Sequence, residues 1–133
     1  MTSSIIKFKC NGVNLVSIYQ HCDGYIEGVG YELAEWLCSK FLVNGIPGGT
    51  PLQNLANGAG CLVAQFIRDF KTGVGGLYIT TSRSESNYYY IVDIKDERKR
   101  GPVPLNDITQ ITVSCSGKTI FEGRPSELLK FEK

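Results

Sequence analysis

The sequence predicts an α+β fold: a mainly antiparallel sheet packed with two helices, plus a small C-terminal β-hairpin and a short helix. Two observations predict it. Runs of β-prone residues come in pairs with short turns between them, and two segments repeat apolar residues at helical spacing. This order needs no strand–helix–strand crossover, so it differs from doubly wound α/β proteins. The 133 residues, 42% of them hydrophobic, fit a single domain over residues 1–133.

The chain begins with a predicted hairpin. Residues 5–9 and 13–20 are β-prone, and Asn11 and Gly12 lie between them. Asn-Gly is favoured in two-residue hairpin turns because both residues accept positive φ. We therefore expect two antiparallel strands here.

A glycine-rich loop over residues 21–30 leads from this hairpin into the first predicted helix. Residues 31–43 carry Leu33, Leu37 and Phe41 at intervals of four, which is typical of a helix with one buried face. Asn44 and Gly45 form a helix stop signal. Trp36 lies off the apolar stripe and is interpreted as a marker of a subunit interface.

The second predicted helix covers residues 57–71, after a long loop over residues 45–57. Asn57 is placed to cap its N-terminus. Its apolar stripe recurs at helical spacing and consists of Leu62, Val63, Phe66, Ile67 and Phe70.

Four more strands and a short helix complete the prediction. Residues 77–81 and 87–94 are expected to form a second hairpin across the polar turn 82–86. Residues 111–116 and 119–122 are expected to form a third. Residues 124–131 are expected to form a terminal helix, with Pro125 in its first turn.

Charge and cysteine content exclude several classes of function. The net charge of +1 gives no overall attraction to DNA, RNA or an anionic membrane. We expect no signal peptide and no membrane span, since no apolar run reaches 18 residues. Five cysteines without a C-x-x-C pair, and a single histidine, favour reduced, mostly buried thiols and no metal site or other cofactor.

The loop over residues 21–30 is the first candidate site. It brings together His21, Asp23 and Tyr25 among glycines that would let a ligand approach the backbone. The helix start that follows offers free N–H groups to an anion. The alternative is a tight strand-to-helix turn whose polar side chains satisfy local backbone groups.

The start of the second helix is another candidate. Asn57 and Gly58 open a run of small residues whose backbone N–H groups could hold a phosphate. The Lys-Ser/Thr pair of a P-loop is missing. The alternative is that the glycines only permit close helix packing.

An enzymatic alternative rests on Cys61 and His21. A thiol in the first helical turn has a lowered pKa, and His21 is the only imidazole that could act as its base. The hypothesis of a Cys-His hydrolase or transferase therefore requires these two side chains to be adjacent.

Residues in the second half of the chain complete the candidate set. Tyr88 and Tyr90 alternate in a strand with Tyr89, so one face of the strand packs on the core and the other presents aromatic surface. That surface, with Trp36, favours a homo-oligomer. The charged run 95–100 is interpreted as a solvated loop that could contribute to phosphate binding.

Three segments resemble small phage and prophage proteins: IYQHCDGYIEGVGYELAEWL at 18–37, ANGAGCLVAQFI at 56–67 and the late IFEGRPSELL. The predicted architecture is similar to that of the viral anti-Thoeris sponge family, an anti-defence family. The resemblance implies an oligomer that binds and sequesters a signalling nucleotide without cleaving it, either a cyclic ADP-ribose isomer or a cyclic oligonucleotide.

The resemblance further implies that a phage protein of this kind acts in the cytoplasm of an infected bacterial host. The family's pockets use an aromatic ring, an asparagine and arginines, and the corresponding positions here are Tyr88 or Tyr90, Asn106 and Arg124. A phage structural or inhibitor protein that binds no small ligand remains a third hypothesis.

Overall fold

The fold is built on a six-stranded sheet with the strand order β5-β2-β1-β6-β8-β9. The computed structural model describes residues 2–45, 54–81 and 86–132. A second, three-stranded sheet has the order β4-β3-β7. The strands are β1 (Ser4–Cys10), β2 (Val13–Gln20), β3 (Phe41–Val43), β4 (Leu55–Asn57), β5 (Leu77–Thr80), β6 (Tyr88–Ile94), β7 (Val103–Pro104), β8 (Thr109–Cys115) and β9 (Lys118–Gly123).

The two longer helices cover one face of the large sheet. The helices are α1 (Tyr31–Cys38), α2 (Gly58–Phe70), α3 (Leu105–Ile108) and α4 (Pro125–Leu128), and a π-helical turn (Ile26–Gly30) leads into α1. Each helix contributes a buried leucine to one continuous core: Leu33, Leu62, Leu105 and Leu128. Within the described ranges, no helix is long and apolar enough to cross a membrane.

The pairing of the large sheet confirms the α+β class, since β1 and β6 form the only parallel pair among its five. It contradicts two details of the sequence prediction. The strands β5 and β6 do not form a hairpin, because β5 pairs with β2 and β6 pairs with β1 and β8. The parallel β1–β6 pair requires a crossover connection, whereas the sequence pattern predicts that no crossover is needed. The predicted turn at 82–86 lies outside the described residues except for Ser86.

The first and third hairpins are confirmed. β1 and β2 pair around Asn11 and Gly12, both of which have positive φ. β8 and β9 pair around Ser116 and Gly117, and this hairpin continues the large sheet through β8 and β6. The C-terminal strands are therefore part of the main sheet and not a separate unit.

The first helix ends earlier than the apolar spacing indicates. α1 stops at Cys38, and Phe41–Val43 forms strand β3. Leu42 pairs with Ala56 on one side and with Val103 on the other. These contacts are distant in sequence, and they override the local helical pattern. The predicted loop 45–57 becomes strand β4 at its end, and residues 46–53 lie outside the described residues.

Aromatic rings join the two helices to the sheet. Phe66 of α2 meets Phe8 of β1 with ring centroids 5.1 Å apart, and Trp36 of α1 meets Phe66 at 5.5 Å. The indole Nε1 of Trp36 donates a 2.9 Å hydrogen bond to Asp69. Trp36 therefore packs within the chain, and its interpretation as an interface marker stays a prediction.

The face of the large sheet opposite the helices is here called the open face. Its residues are identified by the alternation of side chains along the strands. It consists of Ile5, Lys7 and Lys9 of β1, Tyr19 of β2, Tyr89, Ile91 and Asp93 of β6, and Gln110, Thr112 and Ser114 of β8. Ile5 and Tyr19 are buried but do not belong to the main core. Tyrosines therefore cover one end of the open face, and polar and charged side chains cover the other.

Candidate functional site

A groove of about 720 Å³ crosses the polar end of the open face. Its base includes Lys9, Ile91 and Thr112, which occupy successive strands β1, β6 and β8. Lys95 follows the end of β6, and Arg124 follows the end of β9. The volume is in the range of small-molecule sites.

The groove has a mixed charge with an excess of cations. Lys9, Lys95 and Arg124 contribute three positive charges, and Asp93 and Asp107 contribute two negative ones. Within the described ranges, neither lysine lies in a salt bridge. Both ammonium groups are therefore available to an anion.

Arg124 is held loosely at the groove edge. Its guanidinium lies 3.9 Å from the Asp107 carboxylate, and both side chains are more than half exposed. Exposed ion pairs of this kind contribute little to stability. A ligand phosphate, which suits the planar guanidinium better than a distant carboxylate, can therefore compete for Arg124.

The groove also offers apolar and neutral polar groups. Ile91 provides an apolar floor, and Tyr89 lies two residues before it on the same face of β6. The side chains of Gln110 and Thr112 supply hydrogen-bond donors and acceptors. The lining contains no histidine and no cysteine. These groups can bind a polar, anionic molecule, but they lack a thiol or imidazole for nucleophilic catalysis.

The loop with His21, Asp23 and Tyr25 lies at the other end of the sheet and is closed on itself. The Tyr25 hydroxyl donates to Asp23 at 3.2 Å, and His21 Nδ1 lies 3.0 Å from the Tyr19 hydroxyl. The backbone N–H of Val29 donates to the Asp23 carbonyl oxygen at 2.8 Å. This arrangement matches the alternative of a tight strand-to-helix turn.

The glycines of this loop face the chain itself. A Cβ on Gly28 would lie 2.4 Å from the Asp23 carbonyl oxygen, and one on Gly24 would lie 2.6 Å from the Ser3 carbonyl oxygen. Neighbouring backbone atoms therefore occupy the space beside these glycines in which a ligand was expected. The expectation that these glycines expose the loop to a guest is wrong.

Asn57 and Gly58 lie at the start of α2, as predicted, but Asn57 does not cap the helix. Its Oδ1 atom accepts a 2.8 Å hydrogen bond from the N–H of Gly45 and so ties β4 to the end of β3. Gly58 has φ +84° and starts the helix from a conformation that favours glycine. Neither residue lines the groove.

Tyr88 and Tyr90 are correctly placed on one face of β6, but that face is the buried one. Their exposed fractions are 9% and 0%, and burial raises the pKa of both hydroxyls. Neither ring is available to stack on a base, so their predicted role as ligand platforms is wrong. The residue between them, Tyr89, faces the open side.

Asn106 is also used by the fold. Its Oδ1 atom accepts a 2.8 Å hydrogen bond from the backbone N–H of Ser126 at the start of α4. The thiol of Cys38 donates to the same oxygen at 3.8 Å. Asn106 is adjacent to Asp107, which does line the groove, but its own amide orders the C-terminal helix. Among the nine candidate residues, Arg124 lines the groove.

The Cys61–His21 pair is not formed, because the two residues lie at opposite ends of the large sheet. His21 follows β2, which ends beside the start of β1. Cys61 lies in the first turn of α2, beyond β4 and β3. The residue after β3, Asn44, donates to Asp96, just past the far end of β6. Strands β1 and β6 run between these two ends of the sheet. Each has seven residues and is therefore about 20 Å long.

The thiols differ from the predicted buried set. Cys22 and Cys38 are exposed, and the other three are half-buried, all without disulfides. Burial is the main cause that raises the pKa of both Cys10 and Cys38, which disfavours their thiolates. Across the described part of the chain, no group of three or more His, Cys, Asp or Glu side chains could hold a metal.

Most residues of the groove were not predicted from the sequence. Lys9, Asp93 and Thr112 lie within predicted strands, and alternation places them on the solvent side. The charged run at residues 95–100 was the sequence signal that indicated Lys95 as a possible phosphate contact. Pairing of β1 with β6 brings Lys9 beside Asp93, and this register has no local sequence signal.

Comparisons with known proteins identify no relative. No protein-family model matches the chain. No curated protein matches it, and no solved structure does.

Proposed function

We propose that this chain binds a small nucleotide in the open-face groove and sequesters it without cleaving it. The observation that carries the proposal is the convergence of Lys9, Lys95 and Arg124 on one groove of about 720 Å³. Three cations from separate strand ends suit a ligand with more than one phosphate or with a bridged diphosphate.

Binding of phosphates alone does not use the whole groove. Asp93 and Asp107 would repel phosphate, but they can accept hydrogen bonds from ribose hydroxyls or exocyclic amines. Ile91 gives a base an apolar surface to lie on. A nucleotide carries all three kinds of group, whereas inorganic phosphate carries one, so the mixed lining favours a nucleotide.

The lining argues against the Cys-His alternative, because it contains neither a histidine nor a cysteine. Sequestration without turnover rests on the resemblance to the anti-Thoeris sponge family, which points to cyclic ADP-ribose isomers or cyclic oligonucleotides as signals.

A thermal-shift screen with cyclic ADP-ribose isomers and cyclic di- and trinucleotides tests the proposal. A ligand that binds only the native state raises the melting temperature by mass action. We expect at least one of these nucleotides to do so, with an effect that weakens as salt is added because the contacts are ionic. Mass spectrometry after heat release should return the nucleotide unchanged.

Two variants with the same change of charge locate the site. Lys9→Gln removes a groove cation and should weaken binding about tenfold or more, since a hydrogen bond to a charged group contributes roughly 1.5–3 kcal/mol. Lys118→Gln removes an exposed cation of β9 outside the groove and should leave affinity unchanged. No melting shift with any nucleotide would favour a structural or inhibitor protein instead.

A further inference from the structure

Two polar side chains lie opposite each other across the centre of the groove. Asp93 of β6 and Gln110 of β8 are paired residues of neighbouring antiparallel strands, and both line the groove. The Cβ atoms of such directly opposite residues lie about 5 Å apart. Ile91, the apolar floor, comes two residues before Asp93 and therefore lies on the same face. A flat ring that rests on Ile91 is thus within reach of a carboxylate and of an amide.

The carboxylate of Asp93 is anchored by the first hairpin turn. The backbone N–H of Gly12 donates to Asp93 Oδ1 at 3.4 Å. The side chain of Asn11 fixes this turn to the segment after β6. Its Oδ1 accepts from the backbone N–H of Asp96 at 3.0 Å, and its Nδ2 donates to the Asp96 carbonyl oxygen at 3.1 Å. Asp93 is therefore held on the side of the turn and presents its remaining lone pairs to the groove.

Asp93 also keeps its acceptor capacity for a ligand. Within the described ranges it takes part in no salt bridge, although Lys9 is its paired neighbour on β1. The second carboxylate of the groove, Asp107, differs because it lies 3.9 Å from the Arg124 guanidinium. A carboxylate has about four acceptor positions, and the Gly12 N–H occupies one of those of Asp93. Two further hydrogen bonds from a ligand can therefore be accepted at Asp93.

The chemistry of a carboxylate distinguishes the nucleobases. Guanine presents two neighbouring donors, N1–H and the 2-amino group, beside the O6 acceptor. A carboxylate can accept from both donors at once, as it does from the fork of an arginine. Adenine and cytosine present one amino group beside a ring-nitrogen acceptor, and uracil presents one N–H between two carbonyl oxygens. Each of these three bases sets a lone pair against the carboxylate, so a site built on a carboxylate favours guanine.

We propose that the groove selects guanine nucleotides, with Asp93 accepting from N1–H and the 2-amino group and Gln110 donating through Nε2 to O6. This inference rests on the proposed function and names the base that the site prefers. The cations of the groove remain available to the phosphates. The amide of Gln110 can present either its nitrogen or its oxygen to a base, so the selection rests on the carboxylate.

Three nucleoside diphosphates that differ only in the base test the selection. GDP, IDP and ADP carry the same ribose and phosphates, and IDP lacks only the 2-amino group of GDP. Calorimetric titration of the full chain should give a dissociation constant for GDP at least about tenfold lower than for IDP, since a hydrogen bond to a charged group is lost. ADP should bind more weakly than IDP, because a ring-nitrogen lone pair replaces the N1–H donor.

Two variants with the same change of charge assign the selection to one carboxylate. Asp93→Asn should remove most of the preference for GDP over IDP, because an amide has a single acceptor oxygen and turns its NH2 group against the second donor. Asp107→Asn removes the other groove carboxylate and should leave this preference unchanged. The preference compares two ligands on the same protein, so a general loss of stability does not alter it.

The outcomes separate this inference from the proposed function. Equal affinities for GDP and IDP, or a preference that Asp93→Asn leaves intact, would overturn the guanine selection while nucleotide binding stands. Binding of none of the three diphosphates would count against both. The comparison of GDP with IDP on the wild type does not depend on the folding of either variant.

Discussion

The hydroxyl of Tyr90 donates a 2.7 Å hydrogen bond to the carbonyl oxygen of Gly24, across 66 residues of sequence. Tyr90 belongs to the central strand β6, and Gly24 belongs to the loop that leads into α1. The ring fills the core while its hydroxyl fixes the loop. The bond explains why Tyr90, which was selected from the sequence as a ligand contact, is an element of the fold.

Tyr90→Phe should destabilise the protein by about 1–3 kcal/mol, because the Gly24 carbonyl oxygen would remain buried without its donor. Urea unfolding followed by circular dichroism measures this difference. The control Tyr78→Phe changes a ring that is 50% exposed and should cost less than about 0.5 kcal/mol. Equal stability of the two variants would contradict a structural role for the Tyr90 hydroxyl.

Gly28→Ala should also destabilise the fold, by about 1–3 kcal/mol, because the added Cβ would lie 2.4 Å from the Asp23 carbonyl oxygen. The matched variant is Gly60→Ala in α2, where a Cβ meets no atom within 4 Å. Alanine is the better helix former, so this change should be neutral or stabilising by up to about 1 kcal/mol. Thermal unfolding of both variants provides the comparison, and the opposite order of melting temperatures would contradict the account.

Stability should fall in acid partly through Asp69. Hydrogen bonds from Arg68 and then from the Trp36 indole lower the pKa of its carboxyl from 3.8 to about 2. Because the folded-state pKa is depressed, the carboxylate stabilises the fold above pH 3.8, and this contribution is lost as the pH falls toward 2. Asp69→Asn should therefore show a shallower loss of stability in this window.

The measurement for Asp69 is urea unfolding of wild type and variant at closely spaced pH values between these two limits. Glu122→Gln, at an exposed position of β9, is the control for removal of one carboxylate. A wild type and an Asp69→Asn variant with parallel profiles would show that the two hydrogen bonds do not couple Asp69 to folding.

Local signals in the sequence were sufficient for the elements that form from adjacent residues. The Asn11-Gly12 turn predicted the first hairpin, and the apolar stripe around Leu62 and Phe66 predicted α2. Both depend on interactions within one or two turns of the chain. The early end of α1 could not be predicted, because β3 exists through contacts with residues of β4 and β7.

The site depends almost entirely on pairing between distant segments. Lys9 meets Asp93 only because β1 and β6 are parallel neighbours, 84 residues apart in sequence. Arg124 reaches the groove from the end of β9. Alternation along β1 predicts that Lys7 and Lys9 share a face, but it does not say which other residues join them. The selection of Arg124 from the sequence did not rest on this geometry.

Mapping of backbone amide shifts by NMR during titration with a nucleotide that raises the melting temperature tests the central claim most directly. The account predicts that the perturbed amides cluster around Lys9, Asp93, Gln110 and Arg124, and that the nucleotide is recovered intact. Shifts centred on the loop at residues 21–30 or on the start of α2, or conversion of the nucleotide during the titration, would contradict it.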